Sequence, residues 1–458
     1  MVLHSDTIVA LSTPPGRSGI GVIRVSGAES LSILRTLVKS DSFNPPPNLL
    51  TLRSLLDPES SETLDQALVC FFKGPHSFTG EDLVELHCHG SPVLLRAVID
   101  VALKAGARLA EPGEFSLRAV ANGRLKLTEA EAIRDLIDAQ TDAGLRQATR
   151  QLKGEISNAL QPAKDELLKI IVRLESSLEF VEDDLPAFES NEISAALKRT
   201  RSALAELAGT FRQGKLLRDG LKVALVGRPN VGKSSLFNRL LGHSRAIVTE
   251  IPGTTRDTIT ESIGLDGVPL VLIDTAGIRS SEDEIESIGV ARTRRAAADA
   301  DLLIVVIDGS EALRQEDRNV LAEVADTQHI VTLNKSDLPS FSVTHFDSDV
   351  RAPVFPIIPV SAKTEAGLES LRAAILQPFA NGTARGESLL ITNARHYDLL
   401  TRAVDAIVSS EGLLEERASE ELILIGLHNA LRYLDEITGE TTTDEILGQI
   451  FSTFCIGK

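Results

Sequence analysis

A glycine-rich segment between a short apolar run and a helical pattern constrains the fold of this chain more than any other feature. The segment GRPNVGKSS, which begins at Gly227, matches the spacing G-x-x-x-x-G-K-[ST]. It follows LKVALV and precedes SSLFNRLL, which is the strand–loop–helix context that the motif requires. Backbone N–H groups in such a turn can face phosphate oxygens. The sequence therefore predicts an α/β domain with a nucleoside triphosphate site.

Three polar side chains of this segment have distinct predicted roles. Lys233 places a cation beside the β and γ phosphate oxygens, and Ser234 offers an oxygen to Mg²⁺. Asn230 supplies an amide oxygen where many proteins of this kind have a small residue, which is consistent with a second cation site. A monovalent ion there would offset charge that develops in the transition state.

Three further motifs follow in order along the chain. DTAG, from Asp274, ends the apolar run VPLVLI and is predicted to be a switch loop near Mg²⁺ and the γ-phosphate. NKSD, from Asn334, ends HIVTLN, and Asp337 can accept hydrogen bonds from N1–H and the exocyclic amine of guanine, which adenine does not offer. SAK, from Ser361, supplies a backbone N–H for the guanine carbonyl. This order and spacing resemble the GTPase superfamily and predict GTP as the nucleotide.

The residues that would orient the attacking water are less regular. Ile278 stands where familiar small GTPases carry a glutamine. Glu286, in the acidic stretch SSEDEIES, either holds the water or belongs to a solvated acidic loop. IVTEIPGTTRD is predicted to be a flexible switch, with Thr255 as the second Mg²⁺ ligand. Arg256 contacts phosphate or is an exposed structural arginine.

The remainder of the 458 residues predicts a multidomain fold. Short alternating runs and helical spacing are mixed at the start, long amphipathic runs follow Thr128, and helical spacing returns from Tyr397. An α/β domain inserted into one helical domain accounts for this order. The predicted segments are an N-terminal α+β domain at 1–120, a helical part at 121–215, an α/β P-loop domain at 216–380 and a second helical part at 381–458.

Within the first segment, helices are predicted near residues 28–38 and 91–104, the second ending at Gly106. The runs ALVCFF and DLVELHCHG are predicted to be strands.

Composition excludes several other classes of protein. The formal charge of −18 argues against a generally basic nucleic-acid coat, and the absence of Trp with only two Tyr disfavours a base-stacking surface. Three widely separated cysteines predict no disulfide framework and a reducing compartment. The start of the chain lacks a leader pattern, and no apolar run approaches about 18 residues. We expect a cytoplasmic protein without a membrane segment.

Two cysteine-containing segments allow alternatives. Cys455 in the terminal CIGK is either a thiolate nucleophile or a small buried apolar residue. The triplet of His87, Cys88 and His89 contains zinc-ligand residue types. Strand alternation would place Cys88 on the opposite face from the two histidines, which favours a structural role.

Taken together, these motifs resemble those of the bacterial MnmE (TrmE) family of tRNA modification GTPases. The resemblance covers nearly all of the chain. It rests on the nucleotide motifs, on IVTEIPGTTRD and DTAGIR, on GIGVIRVSG, FTGEDLVELHCHG and EPGEFSLRAVANGRLKLTEAEAIRDLIDAQT, and on the terminal CIGK. It implies an N-terminal domain that binds a tetrahydrofolate derivative and dimerises, a helical domain and an inserted GTPase domain.

The resemblance also implies partners and a reaction. A homodimer would work with the FAD-containing flavoprotein MnmG (GidA), in a heterotetramer or larger assembly, on tRNA. The complex would add a carboxymethylaminomethyl-type group at carbon 5 of the wobble uridine, with the one-carbon unit from 5-formyl- or 5,10-methylene-tetrahydrofolate. Potassium-stimulated dimerisation of the GTPase domains would drive GTP hydrolysis.

Individual roles follow from the resemblance position by position. It assigns K⁺ to Asn230, Thr249, Ile251 and Thr254, Mg²⁺ to Ser234 and Thr255, folate to Arg24, Glu81, Arg124 and Lys458, and the water-orienting role to Glu286. Lys233 is a predicted catalytic residue from the phosphate-loop motif, and Cys455 is one only in its thiolate alternative. Glu286 would orient the water, and Arg124 stands where the family has a lysine, with the positive charge kept. The GTP-binding set is Asn230, Val231, Gly232, Lys233, Ser234, Ser235, Thr249, Glu250, Ile251, Pro252, Gly253, Thr254, Thr255, Asp274, Thr275, Ala276, Gly277, Asn334, Lys335, Asp337, Ser361, Ala362 and Lys363.

A second hypothesis shares the nucleotide motifs. A regulatory GTPase that times ribosome assembly or a membrane-associated process would carry them too. Such a protein is expected to add an RNA-binding module, a basic tail or a membrane segment, and the sequence shows none of these. A vestigial GTPase is disfavoured because Lys233, Ser234, Asp274 and Asp337 are intact.

Overall fold

The computed structural model describes most of the chain as two compact units. The described residues are 6–179, 187–242, 259–265, 268–274, 300–346, 357–377, 388–441 and 443–457. The first unit takes its residues from 1–134, 151–197 and 405–458, and the second from 135–150 and 198–404. None of the helices in these ranges has the length and apolar character needed to cross a bilayer.

The first unit contains a mainly antiparallel sheet. Its strands are β1 (Ile8–Leu11), β2 (Ser18–Ser26), β3 (Thr51–Leu56), β4 (Thr63–Phe72), β5 (Leu83–Gly90) and β6 (Arg108–Leu109). The strand order is β3-β4-β5-β2-β1-β6, and only the β1–β6 pair is parallel. The predicted strands at ALVCFF and DLVELHCHG are confirmed as parts of β4 and β5.

Two helices cover one face of this sheet. They are α1 (Ser30–Val38) and α2 (Pro92–Lys104), which confirms both predicted helices. Side chains at alternate strand positions, such as Val84, Leu86 and Cys88, join the core that these helices close. Alternate positions point to opposite faces of a strand, so one face packs against these helices. The other face carries polar side chains such as Glu85 and a smaller apolar cluster that includes Leu83.

The other helices before the second sheet follow in close succession. They are α3 (Glu114–Ala121), α4 (Leu127–Asp138), α5 (Asp142–Leu152), α6 (Glu155–Glu179), α7 (Ala187–Gly209) and α8 (Phe211–Asp219). The amphipathic run after Thr128 is divided at residues 139–141 and again at Gly154, whose φ of +77° is open to glycine at little cost.

The second unit is built around a six-stranded sheet. The remaining strands are β7 (Leu221–Val226), β8 (Ile259–Leu265), β9 (Val268–Asp274), β10 (Leu302–Asp308), β11 (His329–Asn334) and β12 (Ile357–Pro359). The remaining helices are α9 (Lys233–Gly242), α10 (Gln315–Glu323), α11 (Leu368–Ile375), α12 (Ala394–Glu415), α13 (Glu420–Thr438) and α14 (Asp444–Phe451), with a 3₁₀ turn at Val343–His345.

Burial on both faces explains the sequence pattern of this second sheet. The order is β12-β11-β10-β7-β9-β8, and every pair is parallel except β8–β9. Every residue of β10 and β11 is buried, and apolar cores lie on the two sides of the sheet. Continuous apolar runs are expected for parallel strands covered on both faces. The multidomain fold, with its α+β, helical and α/β P-loop parts, is confirmed.

Arg118 is the centre of a buried charge network in the first unit. Its side chain is 1% exposed and donates hydrogen bonds to Asp6 at 2.8 Å, Glu114 at 2.9 Å and Glu81 at 3.2 Å. Burial lowers the pKa of Arg118, but the bonds to Glu114 and Glu81 outweigh it and the net pKa is raised. The network therefore holds a buried guanidinium in its charged form.

Replacing Arg118 with methionine should destabilise the first unit. The expected loss in free energy of unfolding is about 3–5 kcal/mol, because three carboxylates lose a buried countercharge. Differential scanning calorimetry measures the change, and Arg96→Met, at an exposed position of α2, is the matched control. Equal melting temperatures for the two variants would show that the network contributes little.

Candidate functional site

The phosphate-loop motif connects β7 to α9. Gly227 has a φ of +147° and Gly232 a φ of +96°, conformations that favour glycine. A Cβ on Gly227 would lie 2.3 Å from the carbonyl oxygen of Val306, and one on Gly232 would lie 2.3 Å from Nδ2 of Asn334. The loop therefore packs directly against the ends of β10 and β11, where a larger residue has no room.

Polar groups of the loop meet at the start of α9. Lys233 donates hydrogen bonds from Nζ to the carbonyl oxygens of Gly227 at 2.8 Å and Arg228 at 2.9 Å. Asn230, with a φ of +63°, is exposed, as are Ser234 and Ser235 in the first turn of the helix. The first N–H groups of a helix and the helix dipole favour an anion at this end. The local structure is suited to phosphate binding.

Asn334 ties the phosphate loop to the SAK segment. Its side chain is 2% exposed. Nδ2 donates to the carbonyl oxygen of Val231 at 2.8 Å, and Oδ1 accepts from the backbone N–H of Ala362 at 3.1 Å. One buried amide thus holds together two loops that are far apart in sequence.

Asp337 and Ser361 form the pair predicted to face guanine. The Ser361 hydroxyl donates to Oδ1 of Asp337 at 2.7 Å and accepts from the N–H of Thr364 at 3.1 Å. The bond from Ser361 holds the pKa of the Asp337 carboxyl below its usual range. Asp337 is therefore an ionised acceptor near neutral pH. The SAK motif predicted only a backbone role for this segment, and the contact of the Ser361 hydroxyl with Asp337 is an addition.

Two arginines contact the site without having been predicted to do so. Arg239 donates from Nε to the carbonyl oxygen of Ala362 at 3.0 Å. Arg228, inside the phosphate loop, has its Nε 3.2 Å from Oδ2 of Asp317. The sequence offered no signal for these pairs because the partners lie more than one element away along the chain.

The structure brings the two ends of the predicted GTP-binding set together at one edge of the sheet. That group comprises Asn230, Val231, Gly232, Lys233, Ser234, Ser235, Asn334, Lys335, Asp337, Ser361, Ala362 and Lys363. The backbone of Asp274 ends β9 at the same edge. Several residues singled out by the sequence lie outside the described residues: Thr249, Glu250, Ile251, Pro252, Gly253, Thr254, Thr255, Arg256, Thr275, Ala276, Gly277, Ile278, Glu286 and Lys458.

Three of the residues predicted to bind folate lie in or against the segment 77–81 of the first unit. Glu81 accepts from the Ser26 hydroxyl at 2.8 Å and from Arg118. Arg124 donates from Nε to the carbonyl oxygen of Ser77 at 3.1 Å. The guanidinium of Arg24 lies 5.5 Å from the ring centroid of Phe78. One short segment thus carries a carboxylate and contacts two guanidinium groups, a donor and acceptor set suited to a polar heterocycle with an acidic tail.

The CIGK segment is anchored to the first sheet. Ser12 donates from Oγ to the carbonyl oxygen of Gly457 at 3.1 Å, and the N–H of Gly113 donates to the carbonyl oxygen of Cys455 at 3.3 Å. The Cys455 side chain is exposed. The alternative of a small buried apolar residue is therefore wrong. Backbone hydrogen bonds, and not burial of the thiol, hold the segment in place.

The HCH triplet alternates across β5 as expected. Cys88 is 2% exposed in the core, and burial raises the pKa of its thiol to about 12. His87 and His89 point to the other face, where they contact Glu85 and Asp65 respectively. Within the described ranges, no group of three or more His, Cys, Asp or Glu side chains is arranged to hold a metal ion.

Comparisons with known proteins agree with this architecture. Sequence profiles match the GTP-binding protein TrmE N-terminus at residues 7–124 and the MnmE helical domain at residues 127–455. The tRNA modification GTPase MnmE of Koribacter versatilis is 46% identical over 99% of both chains. That of Natranaerobius thermophilus is 42% identical over 100% of both.

A solved structure, the G domain of the T. maritima FeoB iron transporter, is 28% identical and covers 34% of this chain and 97% of its own, with a TM-score of 0.27. So low a TM-score carries no conclusion about the fold. The sequence relatives establish the family, because they match along the whole chain at high identity. The chain belongs to the MnmE family of tRNA modification GTPases.

Proposed function

We propose that this chain hydrolyses GTP to drive modification of the wobble uridine of tRNA. Family membership supports GTP hydrolysis in tRNA modification. The observation that carries the proposal is the junction at Asn334, which joins the phosphate loop to the segment beside Asp337. That junction sets the spacing between a phosphate site and a guanine-selective carboxylate.

The described residues support a specific mode of GTP binding. The N–H groups at the start of α9 and the Lys233 ammonium would hold the β and γ phosphates. Asp337 would accept two hydrogen bonds from guanine, and its depressed pKa keeps it in the accepting form. Ser234 would supply a Mg²⁺ ligand, which agrees with its exposure in the first turn of α9. Magnesium would neutralise charge on the phosphates.

The proposed hydrolytic step uses Glu286 to orient water and a potassium ion in place of an arginine finger. Asn230 is the one proposed K⁺ ligand in the described ranges, and its exposed amide in a left-handed conformation is compatible with cation binding. Thr249, Ile251 and Thr254 complete the proposed K⁺ site, and Thr255 the Mg²⁺ site. K⁺ would offset charge on the transferring phosphoryl group, and the pairing of two GTPase domains would complete the site.

The first unit is proposed to hold the one-carbon donor. Arg24, Glu81, Arg124 and Lys458 would bind 5-formyl- or 5,10-methylene-tetrahydrofolate, which supplies the one-carbon unit for carbon 5 of uridine. The contacts of Arg24 and Arg124 with the segment 77–81, which contains Glu81, support this assignment. The exposed Cys455 thiol is available as a nucleophile. A flavoprotein of the MnmG type would supply FAD within the complex.

Changing Asp337 to asparagine should switch the nucleotide base. Asparagine presents an N–H donor, which suits the C2 carbonyl of xanthine and not the amine of guanine. We expect kcat/KM for GTP to fall by about 100-fold or more and xanthosine triphosphate to become a substrate. Phosphate release with each nucleotide measures this, and Asp326→Asn, at an exposed position, is the control. Unchanged base preference would exclude Asp337 from guanine recognition.

Potassium should accelerate GTP turnover relative to sodium. At equal ionic strength we expect a difference in kcat of about tenfold or more, which Asn230→Ala should largely remove. Steady-state phosphate release in the two chloride salts measures the difference. Equal rates for the unaltered chain in both salts would eliminate the metal-finger proposal.

Loss of the gene should leave wobble uridines unmodified at carbon 5. Mass spectrometry of tRNA nucleosides from the deletion strain tests this. The unaltered gene should restore the modified nucleoside, whereas Glu81→Gln should not, although its GTP turnover stays normal. An unchanged nucleoside spectrum in the deletion strain would reject tRNA modification and favour a regulatory GTPase.

A further inference from the structure

Asp308 lies between the two halves of the nucleotide site. It is the last residue of β10, and β10 has β7 and β11 as its neighbours in the sheet. The phosphate loop follows β7, and the guanine motif begins with Asn334, the partner of Asp308 in the strand register. The Asp308 side chain is only 7% exposed. We propose that Asp308 is a positioning residue that couples the phosphate loop to the guanine motif.

On the guanine side, Asp308 holds Lys335. The ammonium of Lys335 lies 2.5 Å from Oδ2 of Asp308, and the Lys335 backbone has a φ of +66°. The other oxygen, Oδ1, accepts from the hydroxyl of Ser310 at 2.6 Å and from its N–H at 3.1 Å. Both carboxylate oxygens are therefore engaged, which prevents rotation of the group. Burial raises the pKa of Asp308, but the bonds to Lys335 and Ser310 outweigh it and the pKa is lowered.

On the phosphate side, the same oxygen faces Arg228. Nη2 of Arg228 lies 3.9 Å from Oδ2 of Asp308 and also contacts Glu311, while Nε contacts Asp317. The Arg228 side chain is 10% exposed. Its backbone carbonyl accepts one of the hydrogen bonds from Lys233. The side chain of Arg228 thus anchors a loop segment whose backbone positions the phosphate-binding lysine.

The charges of this cluster balance. Three carboxylates, Asp308, Glu311 and Asp317, meet three cations, Arg228, Lys335 and Arg314. Neutralising Asp308 removes an anion that two cations share, one from each half of the site. Lys335 would lose this ion pair, and Arg228 would keep only Glu311 and Asp317, so we expect both halves to loosen together. Asp308 contacts Lys335, a member of the predicted GTP-binding set, and Arg228 of the phosphate loop, so we expect the effect to fall on nucleotide binding.

Replacing Asp308 with asparagine tests the inference through a split between KM and kcat. We expect KM for GTP to rise by about tenfold and kcat to stay within about twofold, since a hydrogen bond to a charged group is lost in a binding element. Asp398→Asn is the matched control, because Asp398 forms an exposed ion pair with Arg402 at 2.9 Å. A fall in kcat without a change in KM, or an unchanged KM, would overturn the proposal.

A double-mutant cycle separates coupling from two independent effects. Arg228→Gln alone should also raise KM for GTP. The double variant with Asp308→Asn should raise it no more than about twofold beyond the larger single effect, because both changes break the same connection. Multiplicative effects of the two changes on KM would overturn the proposal.

A milder variant tests the same proposal if Asp308→Asn does not fold. Ser310→Ala removes one hydrogen bond to Oδ1 of Asp308. It should raise KM for GTP by about two- to threefold at an unchanged melting temperature. An unchanged KM for this variant, with Asp308→Asn unfolded, would assign Asp308 a structural role only.

The inference rests on the proposed GTP hydrolysis, and the two can fail separately. Absence of GTP turnover by the unaltered chain would reject the function itself. Normal turnover by the unaltered chain, with variants that match it in KM, would reject only the role of Asp308.

Discussion

In a mainly parallel sheet that is buried on both faces, side chains can reach a ligand where the strands end. Every residue of β10 and β11 is buried, and the chemistry begins at the last or next residue of each strand. Asp308 ends β10, Asn334 ends β11, and Ser361 follows β12 by two residues. Because parallel strands share one direction, these groups meet at one edge of the sheet. The nucleotide site is thus a consequence of how the core is covered.

Close packing at this edge explains why glycine is needed where it is. The phosphate loop turns so close to its neighbours that a Cβ at Gly227 or Gly232 would overlap atoms of β10 or β11. The same closeness allows one amide, that of Asn334, to contact both the loop and the SAK segment. A buried polar group with both of its functions satisfied stabilises one geometry over alternatives. The two hydrogen bonds of the Asn334 amide therefore fix the spacing between the predicted phosphate and base contacts.

In the first unit, burial also decides where charged side chains can lie. Its antiparallel sheet packs one face on helices, so the other face can carry charges such as Arg24 and Glu85. Arg118 is almost fully buried, and it is stable there because Asp6, Glu81 and Glu114 surround it. One of these partners, Glu81, is a proposed folate ligand. Arg118, to which the sequence motifs gave no role, therefore orients Glu81, for which the resemblance predicts folate binding.

Short-range pattern predicted strands and helices that the structure contains, and it singled out motif residues that the structure places at one edge of the second sheet. The strand–loop–helix at Gly227, the guanine motif at Asn334 and the alternation across β5 depend on neighbours within a few residues, so spacing alone reveals them. The contacts of Asp308 with Lys335 and Arg228, and of Arg118 with Glu81, join residues that are 27 to 80 positions apart. Such pairs carry no local periodicity. Cys455 illustrates the same limit, since its exposure depends on how Gly113 and Ser12 hold the segment around it.

By itself the sequence determined which chemistry is present, because motif residues act through fixed local spacing. Only the tertiary structure decided which charges neutralise one another, because burial and distance arise when remote strands pack together.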